Sequence, residues 1–258
     1  MNGCGRLLLL PTPLGASAPS AVLPAEVLAT ARATRHFLAE RAKSARAFLQ
    51  TIDHPVPLRD LDIVEIGHWP DESRIDQWLQ PASRGHDVAI VAEAGCPAVA
   101  DPGAVIVARA HELGIPVRPL VGPSAILLAL MASGLNGQRF RFAGYLPQDG
   151  GELAAAIVAL ERQSRGGETQ LVIETPYRNE KLLAALLQHC ALDTRITVAV
   201  GLTTPDEAIL TRRVSEWRAL PDRPPLAKRP AVFALLAATR PDRTIAPARA
   251  ARHGRRPG

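Results

Sequence analysis

Aromatic residues, cysteine and long apolar runs are all scarce in this sequence, and each scarcity excludes something. Phe, Trp and Tyr make up 4% of the 258 residues, which argues against a surface of stacked rings as the main means of gripping nucleic acid. The three cysteines, Cys4, Cys96 and Cys190, are far apart and odd in number. They offer neither a disulfide framework nor a CxxC zinc pair, and they suit a reducing compartment, so a cytoplasmic protein is expected. The run RLLLL at 6–10 is ended by Pro11 and Pro13, too early for a signal-peptide core. No run approaches the roughly 18 apolar residues that cross a bilayer, so no membrane association is expected. The seven histidines are scattered without HExxH or paired-ligand spacing, and no metal site is expected. A phosphate-binding GxxxxGK[ST] loop is missing. The glycines of GCGRLL at 3–8 precede the first strand candidate instead of following it, which fails the dinucleotide fingerprint. Ser124 lies in GPSA with no GxSxG context and no evident His–acid partners.

What is present is the composition of a globular protein, 47% hydrophobic and 21% charged, with a net charge of +5. That charge is concentrated at one end. Six arginines (Arg240, Arg243, Arg249, Arg252, Arg255 and Arg256) face one acid, Asp242, leaving 24 basic and 24 acidic residues in 1–239. The body is therefore neutral. Residues 240–258, rich in Pro, Ala and Arg, read as a disordered basic tail. Such a tail is either simply solvated or makes salt-sensitive contacts with RNA phosphates.

Short apolar runs alternate with helical patterns through the first half. Strands are expected at 6–10, 34–38, 62–66, 87–92 and 115–120, with helices at 21–32, 42–51, 72–84 and 103–113, the last closed by Gly114. This order predicts a mostly parallel sheet covered by helices. After a small apolar helix that ends at Gly134, strands are expected at 139–145, 169–174, 195–200, 208–214 and 231–237, with helices at 151–164 and 178–190. The fold class is α/β in two domains, 1–120 and 121–239, the second with a more antiparallel, mixed sheet.

Three Pro/Gly loops each follow an apolar strand directly: PTPLGAS (11–17), EAGCPAVADPG (93–103) and VGPSA (121–125). In an open parallel sheet such loops gather at the carboxyl edge, where ligands bind. Glycine lets the backbone approach a ligand and proline sets the loop shape in advance. These loops carry no basic residue, so they suit a neutral or cationic small molecule better than a phosphate.

The stretches LLLLPTPLG, VAEAGCPAVADPG, IPVRPLVGPSAILLALMASGL, RFRFAGYLP and LVIETPYR occur in the order and spacing of the tetrapyrrole methylase superfamily. They look most like its branch of small-subunit ribosomal RNA (cytidine-2′-O)-methyltransferases. The resemblance covers about residues 6–237. It implies a Rossmann-like N-terminal sheet, a C-terminal mixed sheet, S-adenosylmethionine as cofactor in a cleft between domains, and a homodimer. Carried over by position, the cofactor contacts would come from Pro11, Thr12, Pro13 and Gly15, and from Ala94, Gly95, Pro97, Val99 and Asp101. Gly122, Pro123, Ser124, Ala125 and Tyr177 complete the set. Cys96 stands where the family has Thr and reads as a packing residue. Asp101 reads either as an N-cap for a helix over 102–113 or as an acceptor contact. Glu93 either faces the cofactor edge or is solvated. With Glu40, these two acids are the candidates for a general base, which a poor nucleophile such as a ribose hydroxyl needs.

Two stretches depart from the branch. AERAKSAR (39–46) keeps Glu40 but lacks the Asp-Thr-Arg of the family's AEDTRHT, with Arg41, Lys43 and Arg46 as substitutes. VGLTT (200–204) lacks the Glu and Lys of RELTK. The sequence thus supports an RNA methyltransferase first, a methyltransferase of a tetrapyrrole or other small molecule second, and a non-catalytic cofactor-binding protein third.

Overall fold

The computed structural model describes residues 3–238; the arginine-rich tail expected from 240 onward lies outside them. The first sheet contains β1 (Leu7–Leu10), β2 (His36–Ala39), β3 (Asp62–Glu65), β4 (Val88–Val91) and β5 (Val117–Pro119), in the order β3-β2-β4-β1-β5. Every pairing in it is parallel. β4 lies inside the sheet and is buried along its whole length, which is why VAIV reads as a continuous apolar run with no alternation. Helices α1 (Pro19–Val22), α2 (Ala25–Ala33), α3 (Ala42–Thr51), α4 (Ile75–Ser83) and α5 (Ala104–Glu112) connect the strands. They cover both faces: one core holds Phe37, Phe48 and Leu49, the other Trp78, Leu79 and Ile106.

The second sheet has the order β6-β7-β10-β8-β9, from β6 (Phe140–Tyr145), β7 (Thr169–Glu174), β8 (Arg195–Val200), β9 (Ala208–Arg213) and β10 (Ala231–Leu236). Only β6 and β7 run parallel; the other pairs are antiparallel. The expected mixed sheet is therefore present. α6 (Ala125–Ser133) packs on one face, while α7 (Gly150–Ser164), α8 (Asn179–His189) and α9 (Val214–Ala219) cover the other, around Trp217, Phe233 and Ile157. Trp217 is fully buried and its Nε1 donates to Ile196 O at 2.9 Å.

Three local expectations are corrected. The helix expected at 21–32 is two helices, because the chain is extended at Leu23 and Pro24. The helix expected at 72–84 begins with a 3-10 turn at Glu72–Arg74, where Asp71 accepts from Ser73 N. The strand expected at 208–214 stops at Arg213, and α9 starts there because Glu216 reaches back to the Arg213 N–H at 2.9 Å. Among the described residues, no helix is long and apolar enough to cross a membrane.

Candidate ligand cleft

The three proline/glycine loops meet. Thr12 N–H donates to Gly95 O at 3.0 Å and Gly95 N–H to Thr12 O at 3.1 Å, an isolated antiparallel bridge between the first and second loops. Thr12 is 4% exposed, and its hydroxyl donates to Ala92 O. The third loop closes on the other two: a Cβ on Gly122 would lie 2.3 Å from Pro11 Cγ, and one on Gly95 would lie 3.2 Å from Pro123 O. The Cys96 thiol sits on the same junction, 3.5 Å from Pro123 O, and burial raises its pKa. It is held as a neutral thiol that packs.

In front of this junction is a cavity of about 500 Å³, within the usual range of small-molecule sites. From the sequence-expected residues, Gly15, Ala94, Gly95, Val99, Asp101, Ser124 and Ala125 line it. Pro11, Thr12, Pro13, Pro97, Gly122 and Pro123 do not line it; of these, Pro11, Thr12, Gly122 and Pro123 make the junction between the loops. Tyr177 does not reach the cavity and is 81% exposed; the neighbouring Arg178 is turned back to Glu174, Nη2 to Oε2 2.9 Å.

The second loop reaches this shape through an uncommon backbone. Gly95 and Gly103 have φ of +79° and +134°, and Ala98 and Ala100 are both at +62°. Each left-handed alanine costs about 1 kcal/mol or more, a strain that surrounding structure must maintain and that clusters at functional sites. The loop delivers Asp101 to the cavity wall. Asp101 does not cap a helix, as one reading expected. The N-cap of α5 is Gly103, with no side-chain cap, because the chain makes one more turn before the helix begins. Asp101 Oδ2 is buried with no hydrogen-bond partner. Its pKa is pushed up to about 6, chiefly by burial, then by the charges of Glu40 and Glu93, with the Glu93 backbone N–H partly offsetting them.

Glu40 and Glu93, the other candidate bases, stand at the ends of β2 and β4 and are occupied. Glu93 accepts from Ser44 Oγ at 2.9 Å and pairs with Arg41 at 3.4 Å; Glu40 meets His68 Nδ1 at 3.2 Å. Among the described residues, no group of three or more His, Cys, Asp or Glu side chains is placed to hold a metal ion.

The opposite wall comes from the second sheet, most of it not anticipated. Tyr145 ends β6, Glu174 ends β7, Gly201 and Leu202 follow β8, Pro230 precedes β10 and Ala231 begins it. β10 is antiparallel to both neighbours, with Ala231 opposite Glu174 and Val200, so its amino end joins the carboxyl ends of β7 and β8. The β6–β7 register slips between Phe142 and Tyr145, where Gly144 has φ +71°. A glycine inside a strand pattern is the one local signal that could have marked Tyr145. Its hydroxyl pKa is raised by burial first, then by Asp101, Glu174 and Glu40. Residues 200–204, singled out for their departure from the family pattern, do reach the cleft. Ser17 Oγ donates to Thr203 O, and a Cβ on Gly15 would meet Thr204 Cγ2 at 2.7 Å.

A cavity set between the carboxyl edge of a parallel sheet and a mixed sheet defines an α/β protein with a candidate small-molecule site at the junction of its two sheets. The chain belongs to the tetrapyrrole (corrin/porphyrin) methylases, whose family model matches residues 18–217. Among curated proteins it is similar to Ribosomal RNA small subunit methyltransferase I of Micromonospora olivasterospora, 34% identical over 84% of this chain and 66% of that protein. The namesake from Bacillus subtilis (strain 168) is 30% identical over 82% and 68%, and that of Mycobacterium bovis 33% identical over 67% and 58%. The chain thus spans roughly three fifths to two thirds of these relatives. Of solved structures, the methyltransferase CobJ superposes with a TM-score of 0.59 at 20% identity, covering 91% of this chain and 95% of that one. The uroporphyrin-III-C-methyltransferase from Thermus thermophilus gives 0.53 at 20% identity, covering 92% and 93%. These likenesses show the fold.

Proposed function

We propose that this chain is an S-adenosylmethionine-dependent methyltransferase acting on RNA, at a ribose 2′-hydroxyl of small-subunit ribosomal RNA. One observation carries the reading: the three loops join into the wall of a nucleoside-sized cavity on which a single carboxylate oxygen, Asp101 Oδ2, lies buried without a partner. The relatives named above supply the substrate class. The site fits the cofactor, since the loop backbone of Ala94, Gly95, Ser124 and Ala125 offers close approach and these loops carry no basic side chain, while the one arginine in the lining, Arg229, donates to Asp206 O. When bound, S-adenosylmethionine supplies an electrophilic methyl group.

The chain's own residues then have two tasks. The first is positioning, which contributes most when the electrophile is already reactive; the loop wall and the facing strand ends at Tyr145, Gly201 and Ala231 provide it. The second is proton removal from a poorly acidic hydroxyl. Asp101 is the base in this reading, because Glu40 and Glu93 are hydrogen-bonded elsewhere and their charges raise its proton affinity. The same reading divides the chain into two domains at residues 120/121 and makes it a cytoplasmic homodimer. The face of α6 that carries Leu127 and Met131, 50% and 78% exposed, supports a second copy docking there.

Calorimetry with S-adenosylmethionine and S-adenosylhomocysteine tests the cofactor; no binding to either overturns the reading. Incubation with tritiated cofactor and undermethylated small ribosomal subunits or a porphyrinogen then tests the acceptor, and label in the porphyrinogen alone overturns the RNA assignment.

A further inference from the structure

Trp69 stands apart from the other two tryptophans. It is 86% exposed, while Trp78 and Trp217 are 5% and 0% exposed. In a chain so poor in aromatics, a fully displayed indole loses nothing by folding and has a face free for a flat partner. Its position is set by the fold. The loop after β3 leaves the carboxyl edge of the first sheet at Gly67, whose φ of +68° turns the chain and whose N–H donates to Glu40 O. The Trp69 ring is then held edge-on to His68, centroids 4.9 Å apart at 83°. His68 is tied to Glu40 at 3.2 Å, and Glu40 is one of the charges acting on Asp101 in the cavity wall. The indole is therefore on the same edge as the cleft.

Directly after Glu40 comes α3, with Arg41, Lys43 and Arg46 all exposed. Arg41 leans on Glu93 at 3.4 Å; Lys43 and Arg46 make no ion pair among the described residues. Two exposed acids, Asp71 and Glu72, follow the indole in its loop, Asp71 accepting from Ser73 N and Oγ, so the cationic part of this surface is the start of α3 and not the Trp69 loop.

We infer that Trp69, with Arg41, Lys43 and Arg46, forms a landing platform for single-stranded RNA beside the cleft, one unpaired base stacking on the indole while the cations meet the adjoining phosphates. The inference rests on the RNA reading above and adds how the strand is held. An unpaired base presents a π-face to an aromatic side chain whatever its identity, and phosphates supply the charge that three cations require. A protein partner would need apolar surface around Trp69, where the exposed side chains that follow, Asp71, Glu72, Ser73 and Arg74, are all polar. The low aromatic content excludes a row of rings but leaves room for one.

The test uses the full chain and an unstructured single-stranded oligoribonucleotide of mixed sequence, without cofactor. Trp78 and Trp217 also emit, so the difference in intrinsic emission between the wild type and Trp69→Phe reports on Trp69. Binding should quench the emission, and Trp69→Ala should weaken binding about tenfold, with Trp69→Phe recovering part of the loss. Replacing Arg41, Lys43 and Arg46 with Gln should weaken binding and flatten its salt dependence. Calorimetry with S-adenosylhomocysteine and the melting temperature should not change in Trp69→Ala. Unchanged RNA affinity in Trp69→Ala overturns the platform, and so does a Trp69→Ala protein that changes oligomeric state, which would mark a protein contact. Wild-type protein that binds the oligoribonucleotide through Trp69 but no cofactor would overturn the methyltransferase reading and leave the platform standing.

Discussion

Pro11 fills the space that a side chain on Gly122 would need: a Cβ there would lie 2.3 Å from Pro11 Cγ and 2.4 Å from its Cβ. Two residues far apart in sequence, just past the ends of the neighbouring strands β1 and β5, thus seal the junction where the three loops meet. Gly122→Ala should push the first and third loops apart and cost about 1–3 kcal/mol, the usual range for overpacking. The variant should melt at lower temperature and bind S-adenosylhomocysteine more weakly. An unchanged melt and affinity would show that the junction has slack.

Asp101 ties folding stability to pH. Its folded pKa of about 6 lies above the ordinary aspartate value of 3.8. Well below its ordinary value of 3.8 the carboxyl is protonated in both folded and unfolded chains, so it adds no pH dependence there. As pH rises from 4 to 6 the unfolded chain ionises first, and the folded state loses stability; above 6 the penalty is constant. Asp101→Asn removes it, and should be more stable than wild type at pH 8 by about 1 kcal/mol after allowing for solvent screening. Urea melts at pH 4 and pH 8 check the sign.

The same residue should shape the rate. With Asp101 as base, single-turnover methyl transfer rises with pH and levels above about 6. Asp101→Asn should lower the rate about 100-fold or more and abolish that limb. A variant that keeps both the rate and the limb would remove Asp101 from the chemistry.

Glu174 carries a different load. Its carboxylate is 1% exposed, pairs with Arg178 at 2.9 Å and accepts from Thr175 N. Glu174→Ala should leave Arg178 without its partner and cost about 3 kcal/mol, visible in urea melts. Because Glu174 also lines the cleft, cofactor affinity should fall with it.

Cys96 should prove replaceable. Cys96→Thr fits the same junction and should retain cofactor binding within about twofold, since the hydroxyl can donate to Pro123 O where the thiol does. At neutral pH, iodoacetamide should modify the exposed Cys4 well before the burial-shielded Cys96.

Much of this protein was decided locally. Strands such as VAIV and RITVAV announce themselves as short continuous apolar runs because both faces of them are covered, and the helix over 42–51 by the helical period of its buried residues. The three loops were legible for a similar reason: proline and glycine mark backbone that must turn at the end of a strand, and strand ends in a parallel sheet share one edge. What the sequence could not rank was Asp101 against Glu40 and Glu93, since ownership of a hydrogen bond to Ser44, Arg41 or His68 depends on packing between elements. Nor could it supply the second wall. Ala231 reaches the cleft because β10 runs antiparallel between β7 and β8, a pairing between segments some 30 to 60 residues apart that leaves no local periodicity. The sequence by itself determined which elements form and which loops are preset; the tertiary structure decided which carboxylate is left unpaired and what faces it, because those outcomes follow from long-range pairing and burial.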